Sequence, residues 1–490
     1  MKVDREAEHT VRTVPLCIGG RWVEGEADPL EVTSPATGEV IARVAQGNRK
    51  VVSRAVDSAQ EALDQLARTT AFDRARLCHL VADRLLETRD EIAKDISLEQ
   101  GKPFKSEAIP EVETAAEMFR DAGECAKRLT TDWIPTADPP KRVFTIRQPR
   151  GVYGVLTPWN FPVAIPSEYL GPALATGNPV VWKPSEWTPI SAWHLARCFL
   201  EAGVPDGTLN VVQGPPDEVG DEVVGHPGVV AIGLTGSSRT GEIVARRAAG
   251  KPMLLELGGN GPTLVFDDAD LEQAIARTAF GCFANAGQIC DSTERILVQG
   301  GVHEDLLAGL VEQARNVRLG TPFQDTTSMG PLANEPTASK VDRHLEDAVA
   351  QGGTVVFGGR RAEGFPTQLY YQPTVIDGVR PSMQLNMEET FGPVAPVMPF
   401  ADEDAALALA NAAPLGLAGS VFTRDVAKAI RVAERLQVGV VNINETSAYW
   451  QPHTPFGGFT GKQSGIGRIG GMATLLEMTQ VKTLTLDVGR

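Results

Sequence analysis

Apolar residues recur at helical spacing in the early part of the chain. From Val51 to Leu66, positions Val52, Ala55, Val56, Ala59, Ala62, Leu63 and Leu66 share one face, and Leu77, Leu80, Val81 and Leu85 repeat the pattern between Arg74 and Thr88. A third helix is predicted over Asp90 to Gln100, stopped at Gly101 with Pro103 just beyond. On this pattern the first third of the chain reads as helical.

From Gly151 the period changes. Short β-branched runs, "VYGVL", "VVW", "LNVV", "VVAIGL" and "MLLEL", are separated by helical segments such as Ser191 to Ala202 and Arg239 to Ala249. That alternation predicts βαβ units around a parallel sheet. After Gly258 it resumes with "TLVF", a helix from Leu271 to Ala286, "RILVQ", a helix from Glu304, "TVVFG", "VAPVMPF", a helix from Glu403 and "VGVVNIN". A second α/β domain is expected there. Two alternating strands fit neither domain: "KRVFTIRQP" (Lys141 to Pro149) and "VKTLTLDV" (Val481 to Val488). Paired, they would form an arm whose free edge needs a partner, so association between subunits is expected.

Composition narrows the function classes. A chain of 490 residues is long for one core and suggests two or three domains. The net charge of −16 and the lack of basic runs argue against nucleic acid. No stretch approaches the ~18 apolar residues of a membrane helix, and the charged start "MKVDREAEHT" lacks the apolar core of a secretory signal. Six scattered cysteines without metal-ligand spacing point to a reducing cytoplasm and no metal.

Four segments carry candidate chemistry. In "FANAGQICDSTER" (Phe283 to Arg295), Cys290 stands just past an apolar helix in polar, Gly-containing sequence, whereas Cys282 inside that helix reads as core. A thiolate is a strong nucleophile toward carbonyl carbon if its pKa is lowered or a base lies near; the alternative is an inert buried thiol. In "LLELGGN", Glu256 ends an apolar strand, where a raised pKa would suit a general base, or where a cation would pair with it. In "TPWNFP", Asn160 offers an amide donor for an oxyanion, or is an ordinary turn asparagine. No GxGxxG follows the first strand of the alternating region, but "IGLTGSSRTG" opens a helix after a strand, with Gly236 and Ser237 placed to hold a diphosphate. "WKPSE" adds Lys183 and Glu186, a cation and a carboxylate suited to ribose hydroxyls.

Together "TPWNFP", "GPALATGN", "VVWKPSEWTP", "LTGSS", "LELGGN", "NAGQIC", "EETFGP", "VNIN" and "PFGG", in that order from Thr157 to Gly458, resemble the aldehyde dehydrogenase superfamily. The resemblance implies a Rossmann-like cofactor domain (1–125 and 148–256), an α/β catalytic domain (257–470) and a β-strand oligomerisation arm (126–147 and 471–490), in homodimers or homotetramers. It implies Cys290 as nucleophile, Asn160 with the Cys290 amide as oxyanion hole, and Glu256 as the base for hydrolysis of a thioester. NAD, with NADP as an alternative, would lie against Thr157, Pro158, Trp159, Lys183, Ser185, Glu186, Gly236, Ser237, Leu257, Glu389 and Phe391.

Departures from the family pattern fall at Asp291, at the long "PFGGFTGKQSGIGRIGG" segment, and at Ile469, where an acidic residue often lies. Glu168 falls at a position that faces the family's substrate tunnel, where enzymes resembling succinic-semialdehyde dehydrogenase carry an arginine. A glutamate there implies a small aldehyde that is neutral or cationic at its far end: aromatic, aliphatic or amino. Tyr449, Trp450 and His453 would line the tunnel mouth. The alternatives are a semialdehyde dehydrogenase for an acidic substrate, a coenzyme-A-acylating dehydrogenase, and a non-catalytic protein of this fold.

Overall fold

The computed structural model describes residues 11–489; the charged start of the chain at 1–10, and Arg490, lie outside them. An eight-stranded sheet has the order Gly465–Ile466, Met253–Leu257, Ala231–Gly236, Tyr153–Leu156, Val180–Lys183, Leu209–Val211, Leu16–Ile18, Arg21–Val23. Its central five strands are the five runs read from Gly151 onward, and they are parallel throughout. The first run sits in the middle, with the second and third on one side and the fourth and fifth on the other. The order therefore reverses between Tyr153–Leu156 and Ala231–Gly236. A crevice opens at such a reversal, beyond the carboxyl ends of the strands, and ligands of doubly wound sheets bind there.

A seven-stranded sheet runs Thr354–Phe357, Thr374–Asp377, Val394–Phe400, Thr293–Gln299, Gly261–Val265, Ala418–Phe422, Val440–Ile443, parallel but for the first of these. Both sheets are covered by helices, which explains why their strands read as continuous apolar runs rather than alternating ones. The two outlying strands do pair: Lys141–Pro149 runs antiparallel to Thr479–Asp487, from Lys141 opposite Asp487 to Pro149 opposite Thr479. Trp133–Ile134 adds a third, short strand.

The helices at Arg49–Leu66, Ala71–Glu87 and Arg89–Gln100 bury the expected faces, and Gly101 closes the third in the left-handed conformation, φ 98°. The helical reading of the whole first third needs correction, however. Arg12–Val14, Leu16–Ile18, Arg21–Val23, Ala27–Thr33 and Val40–Gln46 are strands. Four of them are short or lie at an edge, and in Ala27–Thr33 Val32 alone is buried; Val40–Gln46 is the centre of a three-stranded sheet, but Arg43 interrupts its apolar residues, so no apolar alternation marks them. The helix from Leu271 also ends earlier than expected, at Phe283 rather than Ala286. Asn285 and Ala286 both take left-handed backbone, φ 47° and 55°, which no helix continues.

Candidate active site

Cys290 follows that left-handed turn directly, and side-chain amides hold the turn in place. Gln288 donates from Nε2 to the Asn285 carbonyl (2.8 Å) and accepts at Oε1 from the Ala333 N–H (2.9 Å). Glu107 accepts the Asn285 N–H at 2.9 Å. Left-handed backbone at two non-glycine residues persists where surrounding bonds over-determine it. Here they fix the segment that carries the thiol.

Asn160 reaches the same segment from the crevice loop. Its Nδ2 donates to the Gln288 carbonyl at 3.0 Å, two residues before Cys290. A carboxamide has two N–H donors, so one is left for a ligand. The Asn160 backbone is pinned in turn. Lys102 Nζ donates to the Asn160 carbonyl (2.7 Å) and to Glu111 (2.7 Å), and lies 3.8 Å from the Phe161 ring centre. The other Glu111 oxygen accepts the N–H groups of Val163 (2.8 Å) and Ala164 (3.2 Å), at the start of the helix Ala164–Thr176. Both side chains of the Lys102–Glu111 pair are fully buried.

Glu256 projects from the end of Met253–Leu257 and is 2% exposed. Its Oε1 has no hydrogen-bond partner, and no cation pairs with it among the described residues. Burial pushes its carboxyl up to about 8; Asp291 and Glu389 add to the rise, while contacts with the Cys290 thiol and Thr235 oppose it. The paired-carboxylate alternative therefore does not apply. Burial also holds the Cys290 thiol well above its ordinary value, reinforced by Glu256, Asp291 and Glu168. Asp291 is pushed up to about 7 by burial, and Glu168 is raised by burial and then by Glu256 and Asp291. The resting site thus holds a neutral thiol among protonatable acids.

A cavity of about 800 Å³ leads to the thiol. Its walls include Phe161, Glu168, Glu256, Cys290, Asp291 and Trp450, and among the described residues none of the lining side chains is Lys, Arg or His. Tyr449 and His453, expected at the tunnel mouth, are exposed and do not line it. Asn442 explains the difference, since its Nδ2 holds the carbonyls of Thr446, Ser447 and Tyr449. Trp450 then turns inward, its ring 5.9 Å from that of Phe456 and its Nε1–H on the Thr454 carbonyl. Tyr449 and His453 are left outside.

On the other side of Cys290, the crevice gathers the residues expected to hold a cofactor. Thr157 accepts the Trp182 Nε1–H at 2.8 Å, and the Trp159 ring meets that of Phe391 edge-on at 5.5 Å. The Lys183 ammonium is buried, bonded to the Pro184 carbonyl and 3.8 Å from Glu186, while Ser185 caps the Trp187 N–H. Ser237 caps the helix Ser238–Arg247, which packs its Gly241 onto Leu257 so closely that a Cβ would lie 2.3 Å from Leu257. Glu389 accepts the Gly259 N–H at 3.1 Å. Phe391 holds a left-handed φ of 58° because buried Glu294 grips the N–H groups of Thr390 and Phe391, each at 2.7 Å. A dinucleotide fits this set: the crevice lies at the sheet's reversal, it presents a buried ammonium and a helix start, and the orphaned Glu256 oxygen adjoins it.

The aldehyde dehydrogenase family model matches residues 22–484. The chain belongs to the aldehyde dehydrogenase family. It is 41% identical over 477 residues to the mitochondrial succinate-semialdehyde dehydrogenase of Arabidopsis thaliana, covering 96% of this chain and 89% of that protein. A succinate-semialdehyde dehydrogenase from Burkholderia pseudomallei superposes with a TM-score of 0.95 at 37% identity, covering 99% of this chain and 100% of that one. Betaine aldehyde dehydrogenase from Staphylococcus aureus, solved with NAD+, gives 0.94 at 34% identity, covering 97% and 95%. This aldehyde dehydrogenase is accordingly an NAD(P)-dependent oxidoreductase acting on aldehydes. No helix among its described residues is long and apolar enough to cross a membrane.

Several residues that shape the site escaped the sequence reading. Glu111 had a usable signal, because it falls on the buried face of Ile109–Ala126 with Ala115, Met118 and Ala122. A carboxylate inside an apolar stripe calls for a partner. Gln288 on Ala333, Asn285 on Gln100 and Glu107, Glu294 on Thr390 and Phe391, and Tyr169 on Thr235 act through contacts between segments far apart in the chain, and apolar periodicity does not single them out.

Proposed function

We propose that this enzyme oxidises an aldehyde to its carboxylic acid through a thioester on Cys290, and that its substrate is neutral or cationic at the far end. The Cys290 sulfur adds to the aldehyde carbon as the thiol proton passes to solvent water. The carbonyl oxygen becomes an oxyanion that accepts from the free Asn160 N–H and the Cys290 amide; one such donor contributes about 3 kcal/mol of barrier lowering. The nicotinamide, when bound, supplies the acceptor for the hydride that leaves this carbon. Glu256 then takes a proton from water through Oε1, the water oxygen bonds to the thioester carbon, and the sulfur leaves as the acid is released. Glu256 supports hydrolysis over transfer to coenzyme A.

The cofactor reading assigns the eight-stranded sheet to NAD(P), the seven-stranded sheet to the thiol segment, and the sheet of Trp133–Ile134, Lys141–Pro149 and Thr479–Asp487 to subunit pairing. Glu186 beside Lys183 favours NAD, because a carboxylate accepts from both ribose hydroxyls and repels a 2′-phosphate. The arm exposes Trp133 (66%), stacked on Phe144, with Leu486 exposed on the same face. We infer that this apolar strip meets a second copy. Sedimentation should show a dimer or tetramer, reduced to smaller species by removing residues 479–490; a monomeric native enzyme contradicts the inference.

The substrate reading rests on one observation: among the described residues the tunnel carries Glu168 and Asp291 and no cation. Burying a carboxylate where no cation receives it costs several kcal/mol and would hold Glu168 and Asp291 in their neutral forms, whereas a cationic end favours their ionised forms. Kinship with succinate-semialdehyde dehydrogenases favours a second reading, an acidic semialdehyde substrate. A panel of amino, trimethylammonio, aromatic, aliphatic and acidic aldehydes, run with NAD+ and with NADP+, decides between them. We expect kcat/KM for the best cationic or neutral aldehyde to exceed that for succinic semialdehyde by roughly 100-fold or more, without coenzyme A. Glu168→Arg should narrow or reverse the ratio. A native preference for succinic semialdehyde overturns the reading.

A further inference from the structure

We propose that the hydroxyls of Tyr169 and Thr235 form a relay of hydrogen bonds that anchors one oxygen of Glu256 and leaves the other free to take the proton of the attacking water. The inference rests on Glu256 being the base, as argued above.

The arrangement follows from strand geometry. Thr235 and Glu256 are register partners on neighbouring parallel strands, Ala231–Gly236 and Met253–Leu257, so their side chains share a face of the sheet. Gly233 lies two residues before Thr235 and therefore on that face as well. Its missing side chain makes room for the Tyr169 ring: a Cβ there would sit 2.7 Å from the tyrosine Cδ1. Tyr169, on the helix Ala164–Thr176, thereby lies flat along the strand with its hydroxyl 2.9 Å from Thr235 Oγ1. Both side chains are buried, and the register sets Thr235 beside Glu256, where its hydroxyl opposes the rise of the carboxyl.

A tyrosine donating to Thr235 Oγ1 leaves the threonine proton pointing at Glu256, and each bond in such a chain strengthens the next. The groups facing Glu256 are Glu168 and Tyr169 from the helix, Cys290 and Asp291 from the thiol segment, Glu389 beyond Gly259, and Thr235 from the neighbouring strand. The strand on its other side, Gly465–Ile466, brings no titratable side chain. None of these groups is a cation. The Cys290 thiol and Thr235 both favour the ionised base; once the sulfur carries the acyl group the hydroxyl relay is what remains, which places Tyr169 and Thr235 as positioning residues that act through Glu256.

Tyr169→Phe tests this with little change in packing. The pH dependence of thioester decay would be measured in single turnovers of the whole enzyme with NAD+ and aldehyde. In the native enzyme the rate should rise through about pH 8, as Glu256 loses its proton. In Tyr169→Phe the limb should move up by about half to one pH unit. Thr235→Val should move it at least as far, and Thr235→Ser should restore it. A limb that stays in place in both Tyr169→Phe and Thr235→Val, whatever the change in rate or thermal stability, overturns the proposal. Glu256→Gln separates the two readings: if it still hydrolyses the thioester at the native rate, the base assignment fails and the relay fails with it.

Discussion

Cys290→Ser should cut NADH formation at saturating aldehyde by roughly 10³-fold or more, with little change in thermal unfolding. The thiol is already held neutral by burial and by three neighbouring carboxyl groups. A hydroxyl in that place is a far weaker acid, and among the described residues the lining offers no histidine or lysine to activate it. Serine fills nearly the same volume, so a loss of activity with unchanged melting isolates the chemistry from the fold. The check is NADH absorbance beside a thermal melt. Comparable turnover by serine would remove the covalent step.

Glu256→Gln should separate the two halves of the reaction. Glutamine keeps the shape but cannot take a proton from water, so steady-state turnover should fall by about 10²–10⁴-fold. Hydride transfer should survive better. Glu256 is among the groups that hold the thiol proton in place, and neutralising it removes that repulsion at Cys290. Rapid mixing should then show a burst of NADH near one equivalent per site, followed by a slow phase. A burst and a steady rate reduced in equal proportion would instead assign Glu256 to the first step alone.

The parallel sheets were legible because helices cover both faces and their strands are apolar throughout. The strands at Arg12–Val14 and Ala27–Thr33 were not, since they bury too little to print a pattern. Among the site residues, Cys290 could be singled out from Cys282 by its position past the helix end, and Glu256 and Asn160 by their places after strands. What each does in the site depends on neighbours the sequence does not order. The thiol's environment comes from Glu168, Glu256 and Asp291, which three separate segments supply. Asn160 aims its amide because Lys102 and Gln288 hold it from opposite directions. Tyr449 and His453 show the converse: they are near Trp450 in sequence, yet the Asn442 bonds turn them outside.

The covalent intermediate itself is the most direct test. Glu256→Gln, mixed with NAD+ and aldehyde and quenched in acid after the burst, would be digested and weighed by mass spectrometry. The account predicts an added acyl group on the peptide containing Cys290, removable by hydroxylamine, in the same amount as the NADH formed. NADH released with Cys290 unmodified, or with the acyl group on another residue, would contradict it.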